Sequence, residues 1–142
     1  MRAVLDVNVL ISAVLARDGA PARILSRWAA GAFELVVSRK LLQELERALA
    51  YPKIRARISA GEAAAFVALL RDAAAELHDD PRDPAPRSPD HGDDYLLALA
   101  EAADVVLVSG DQHVLGLAPD LPVMSPRAFL DELESRQLPG VE

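Results

Sequence analysis

The sequence contains no cysteine, which excludes disulfides, thiolate zinc sites, iron–sulfur clusters and a cysteine nucleophile. It has no apolar run near the ~20 residues that a membrane-spanning helix needs. Aromatic residues are scarce, at 4%, so base stacking is expected to matter little in any nucleic-acid contact. Lysine occurs only at Lys40 and Lys53, and no Gly-rich phosphate loop is present. The three histidines, His78, His91 and His113, lack the i, i+4 pairing of a zinc-binding helix. What is there is 142 residues, 51% hydrophobic and 26% charged. That suits a single domain over 1–142, large enough to bury a core. A carboxylate at Asp6 interrupts the N-terminus too early for the apolar stretch of a signal peptide. The expected protein is cytoplasmic and makes no membrane contact.

The formal charge of −7 is unevenly spread. Residues 1–71 carry 11 Lys/Arg against 6 Asp/Glu, and residues 72–142 carry 4 against 16. The densest basic stretch holds Arg39, Lys40, Arg47, Lys53, Arg55 and Arg57. Such polarity fits either a solvated helix face or a surface for nucleic acid.

Short apolar runs alternate with helical spacing. Ala3–Leu5, Glu34–Val37, Val105–Val108 and Pro122–Met124 read as strands, with a further short one around Leu77. Helices are expected from Asn8, from Pro21 to a stop at Gly31, and from Ser38 as N-cap to a stop at Pro52. Ser59 and Glu62 form a capping-box signature for a helix reaching about Leu77. The Pro-rich stretch 79–92 reads as a surface loop. Further helices cover 93–103, 114–117 and the residues after Ser125. This order predicts an α/β fold around a parallel sheet, with functional groups outside the carboxyl ends of the strands.

Asp6 ends the first strand and Asp111 follows the strand Val105–Val108 by one turn. Asp93 lies in the first turn of the helix before that strand, and Glu44 borders the buried stripe of its helix. Taken singly, each aspartate is equally well a cap or turn residue. Gathered at one sheet edge, carboxylates about 5 Å apart repel by about 3 kcal/mol at an effective dielectric near 20. A hard divalent cation, Mg²⁺ or Mn²⁺, removes that conflict through oxygen ligands and supports phosphodiester hydrolysis.

The joint order of these acids resembles the PIN-domain ribonucleases, especially the VapC-like toxins of bacterial toxin–antitoxin pairs. Val4-Leu-Asp-Val-Asn-Val-Leu-Ile-Ser-Ala13 is similar to their opening motif and Ser38-Arg-Lys-Leu-Leu-Gln-Glu44-Leu to their second. Asp93-Asp-Tyr-Leu-Leu-Ala-Leu-Ala100 resembles the third, Ala103-Asp-Val-Val-Leu-Val-Ser-Gly-Asp111 the fourth, and Ser125-Pro-Arg-Ala-Phe-Leu130 the closing helix. The resemblance spans essentially the whole chain. It implies a three-layer α/β/α sandwich with a mainly parallel central sheet, and Mg²⁺- or Mn²⁺-dependent endoribonuclease activity on RNA. It also implies a cognate antitoxin and a homodimer. Carried over by position, Asp6, Glu44, Asp93 and Asp111 are the catalytic, metal-holding acids. Asn8 is expected to support Asp6, to N-cap the first helix, or both. Ser109 is expected to orient Asp111 or a scissile phosphate, and the basic stretch Arg39–Arg57 to hold the RNA backbone.

Two departures stand out. Many relatives carry an acid where this chain has His113, leaving either a carboxylate-only site or a histidine that contacts metal or phosphate. Asp93 and Asp94 both align with one acidic position, and the spacing to Leu96, Leu97 and Ala100 favours Asp93. A haloacid-dehalogenase-like phosphatase needs a second acid where Asn8 stands, and a receiver domain needs a later lysine. A DNA-directed flap nuclease needs extra helical segments, for which 142 residues leave little room. The alternative from another class is a catalytically weak or inactive binding module, acting through an antitoxin or RNA.

Overall fold

The computed structural model describes residues 1–77, 94–117 and 122–136. The expected surface loop 79–92 and the candidate ligand Asp93 lie outside the described residues. The strands are β1 (Arg2–Leu5), β2 (Glu34–Val37), β3 (Ala75–Glu76), β4 (Val106–Val108) and β5 (Val123–Met124). They form one sheet in the order β3-β2-β1-β4-β5, and every pairing is parallel. After Arg2 and Glu34 at their first positions, β1 and β2, like β4, are apolar runs without alternation, as strands covered on both faces are.

The helices are α1 (Val7–Leu15), α2 (Ala20–Ala29), α3 (Arg39–Leu49), α4 (Pro52–Arg55), α5 (Ala60–Ala73), α6 (Asp94–Ala103), α7 (Gln112–Leu115) and α8 (Pro126–Arg136). Contacts run from α8 through α2, α1 and α3 to α5, while α6 packs against β1 and β4. The result is the expected three-layer α/β/α arrangement. Its core includes Leu5, Leu10, Ile24, Leu35, Leu45, Leu97 and Leu107, with Phe129 set edge-on to Phe33 at 5.1 Å.

Local signals account for most boundaries. Ser38 Oγ accepts from the Leu41 N–H, and the Ser59/Glu62 capping box is present in both directions. Gly31 takes φ +86°, the left-handed conformation that a side chain disfavours, just beyond α2. Asp6 rather than Asn8 caps α1: its Oδ1 accepts from the Val9 N–H at 2.8 Å, and Asn8 sits exposed inside the helix. The helix expected to reach Leu77 stops at Ala73, because the next residues join the sheet edge as β3. Between α3 and α5 the chain inserts α4, opened by Pro52 at its first turn.

Candidate metal centre

From β1 the chain runs through β2 to β3 on one side, and β4 and β5 lie on the other. The direction of winding therefore reverses between β1 and β4. Ligands of open parallel sheets bind in the crevice at the carboxyl ends of such a pair. Leu5 registers with Val108, and the Asp6 N–H donates to the Val108 carbonyl at 3.1 Å. Asp6 and Ser109 thus emerge side by side at this crevice.

Asp6 is 6% exposed and Ser109 is fully buried. The Ser109 hydroxyl donates to the Asp6 carboxylate and accepts from the Asp111 N–H at 3.1 Å. One side chain therefore fixes both the first acid and the turn that presents the last. The N–H groups of Val9 and Asn8 also face the Asp6 carboxylate. The expected support from Asn8 thus runs through its main chain. Burial pushes the Asp6 carboxyl above its ordinary value, the Ser109 and Val9 hydrogen bonds oppose that rise, and the charge of Asp111 adds to it.

Glu44 projects from the second turn of α3, half-buried, and its Oε2 accepts from the Tyr95 hydroxyl at 2.8 Å. Tyr95 is the second residue of α6 and is 7% exposed. The Lys40 ammonium lies over its ring, 4.4 Å from the centroid. The sequence alone presents Tyr95 as a core-spaced aromatic. The available signal was that a tyrosine on an otherwise aliphatic stripe needs a partner for its hydroxyl.

The structure brings Asp6, Ser109 and Asp111 together and ties Glu44 to the start of α6. Among the described residues, no three His, Asp or Glu side chains gather closely enough to enclose an ion. Asp93 and the side chains of Asp94 and His113 lie outside the described set. The donors present still suit a hard cation. Asp6 and Asp111 repel, burial penalises the Asp6 charge, and all the groups offer oxygen.

The basic stretch divides. Arg57 donates to the Leu15 carbonyl at 3.1 Å and Arg55 to the Leu49 carbonyl at 3.3 Å, satisfying the last turns of α1 and α3. Arg39 borders an open hollow of about 440 Å³ with Gln43, Glu46, Arg71 and Glu76, where Arg71 pairs with Glu46 at 3.0 Å. Arg47 and Lys53 are exposed, and Lys40 is the member beside the Glu44–Tyr95 pair.

Replacing Ser109 with alanine removes a donor from a buried carboxylate and the acceptor of the Asp111 N–H. The expected result is a loss of about 1–3 kcal/mol in stability, read by urea denaturation, and ~10-fold weaker Mn²⁺ affinity, read by calorimetry.

A family profile described as "PIN domain" matches residues 2–113. No curated protein matches. Among solved structures, PAE2754 from Pyrobaculum aerophilum superposes with TM-score 0.67 at 18% identity, over 95% of this chain and 90% of that one. VapBC2 from Rickettsia felis, bound to a DNA fragment from their promoter, gives 0.62 at 13%, over 88% and 98%. The PilT N-terminus domain protein SSO1118 from Sulfolobus solfataricus P2 gives 0.53 at 11%, over 94% and 93%. At these identities the likeness is one of fold.

Proposed function

The chain belongs to the PIN-domain family, and from that premise we propose that it is a Mg²⁺- or Mn²⁺-dependent endoribonuclease, the toxin of a type II toxin–antitoxin pair. The observation that carries this reading is the Asp6–Ser109–Asp111 constellation at the β1/β4 switch point. The VapBC2 likeness supports the antitoxin partner. A homodimer and a cytoplasmic location belong to the same reading. No described helix is long and apolar enough to cross a membrane.

In this mechanism Asp6, Glu44, Asp111 and one of the adjacent pair Asp93/Asp94 hold the cation. A cation held there would supply activation of water toward an RNA phosphodiester and an offset to the charge that builds on it. The chain's own residues prepare the site. Val9 N–H and Ser109 hold Asp6 in one orientation, Ser109 sets the Asp111 turn, and Tyr95 engages one oxygen of Glu44. His113 stands two residues beyond Asp111 and is a candidate contact to phosphate. Lys40, with Arg39, Arg47 and Lys53, supplies positive charge for the RNA backbone. Lys40→Ala is expected to weaken RNA binding and to reduce the slope of log affinity against log salt by about 1, measured by fluorescence anisotropy across a salt series.

Incubating purified chain with a panel of RNAs and Mn²⁺, Mg²⁺ or EDTA tests the function. Fragments with 3′-hydroxyl and 5′-phosphate ends that vanish in EDTA are expected. The contrary outcome is a binding module of little or no activity, acting through an antitoxin or RNA. RNA or antitoxin binding without cleavage at saturating Mn²⁺ would establish that instead.

A further inference from the structure

We infer that Tyr95 is a positioning residue that presents Glu44 to the cation, so that the second and third acidic motifs act as one unit. The inference rests on the metal-site reading above. A glutamate has freely rotating side-chain bonds, and ordering it costs up to about 2 kcal/mol of entropy. Glu44 is only half-buried on α3, so its own helix does not fix its carboxylate. Tyr95 supplies what is missing. Tyr95 is 7% exposed and part of the buried core, its hydroxyl reaches Glu44 Oε2 at 2.8 Å, and Lys40 covers the ring at 4.4 Å. The bond joins residues 51 apart in sequence. Tyr95 directly follows the adjacent acids Asp93 and Asp94, so the element that carries the third acidic motif also sets the orientation of the second. With Oε2 engaged by the hydroxyl, Oε1 remains the oxygen to bind metal. A hydrogen bond from a partner to a metal-ligating carboxylate commonly governs affinity by 10- to 100-fold.

Tyr95→Phe keeps the ring and its packing and removes only the hydroxyl. Titrated with Mn²⁺ alone by calorimetry, this variant is expected to bind ~10-fold more weakly than the parent. In a Glu44→Gln background the same change is expected to have no further effect on Mn²⁺ affinity, since the two groups act together. A second measurement leaves Tyr95 in place. In Tyr51→Phe protein Tyr95 is the one remaining tyrosine, and the Cζ resonance of carbon-13-labelled Tyr95 is expected to move with Mg²⁺ at the midpoint of metal binding. Parent and Tyr95→Phe binding Mn²⁺ equally, or a Cζ resonance unmoved at saturating Mg²⁺, overturns the inference alone. A parent chain that binds neither cation overturns the metal reading and the inference with it.

Discussion

Asp6→Asn is expected to lower metal-dependent RNA cleavage by ~10³-fold or more, the loss of several kcal/mol of charge stabilisation, while leaving the metal-free fold at least as stable as the parent. The second half of this expectation separates a metal ligand from a structural aspartate. Asparagine caps helices as well as aspartate does, so the bond from the Val9 N–H to position 6 survives. The folded chain holds the Asp6 carboxyl above its ordinary value of 3.8, chiefly through burial. A carboxyl with a raised folded value binds its proton more tightly in the folded state. Its ionisation therefore destabilises the metal-free fold, by an amount absent below 3.8 that grows as pH rises through the raised value. Asparagine removes that cost. At neutral pH without metal, the variant should melt at or above the parent, and the gap should close as pH falls toward 3.8. Saturating Mn²⁺ should reverse the order, because only the parent gains the cation's binding energy. Melting curves with Mn²⁺ and with EDTA, beside cleavage rates, check all three statements.

Phe129→Ala should destabilise the chain by about 3–5 kcal/mol, with a fall in melting temperature of about 10 °C. Phe129 is fully buried, meets Phe33 edge-on, and is buried together with Leu130 and Leu133 on α8, a helix that packs against α2. The family match ends at residue 113, before α8 begins, yet this helix closes the core over α2. A chain truncated after residue 117 is accordingly expected not to fold. Arg127→Ala, on the exposed side of the same helix, should change stability by less than about 0.5 kcal/mol. Calorimetric melting of the three proteins distinguishes a core helix from a surface appendage.

Where the signal is local, sequence and structure agree. Ser38, Pro21, Gly31 and the Ser59/Glu62 box act through their own backbone neighbours. Ala3–Leu5 and Val105–Val108 read as strands because burial makes both runs wholly apolar, and they appear as β1 and β4. The helix expected over 93–103 does end at Ala103, though no glycine marks the stop. Asp104 takes φ +55° there, a left-handed position usually filled by glycine, and aspartate tolerates it. The short strand expected around Leu77 is present as β3 at Ala75–Glu76, while its pairing with Val36 and Val37 exists only in the assembled sheet.

At the site, Asp6, Ser109 and Asp111 were readable because two adjacent parallel strands deliver them. The roles of Arg55 and Arg57 as donors to helix-end carbonyls were not, since a charge run looks the same whether it faces nucleic acid or a neighbouring helix. Nor was the Tyr95–Glu44 bond, which depends on the approach of two helices far apart in sequence.

The most direct measurement is anomalous scattering from crystals of the chain soaked in Mn²⁺. A manganese peak within coordination distance of the Asp6 and Asp111 carboxylates, with Glu44 contributing an oxygen, is the predicted result. Saturating Mn²⁺ that leaves the crevice between β1 and β4 empty, or a peak confined to residues elsewhere on the surface, would contradict it.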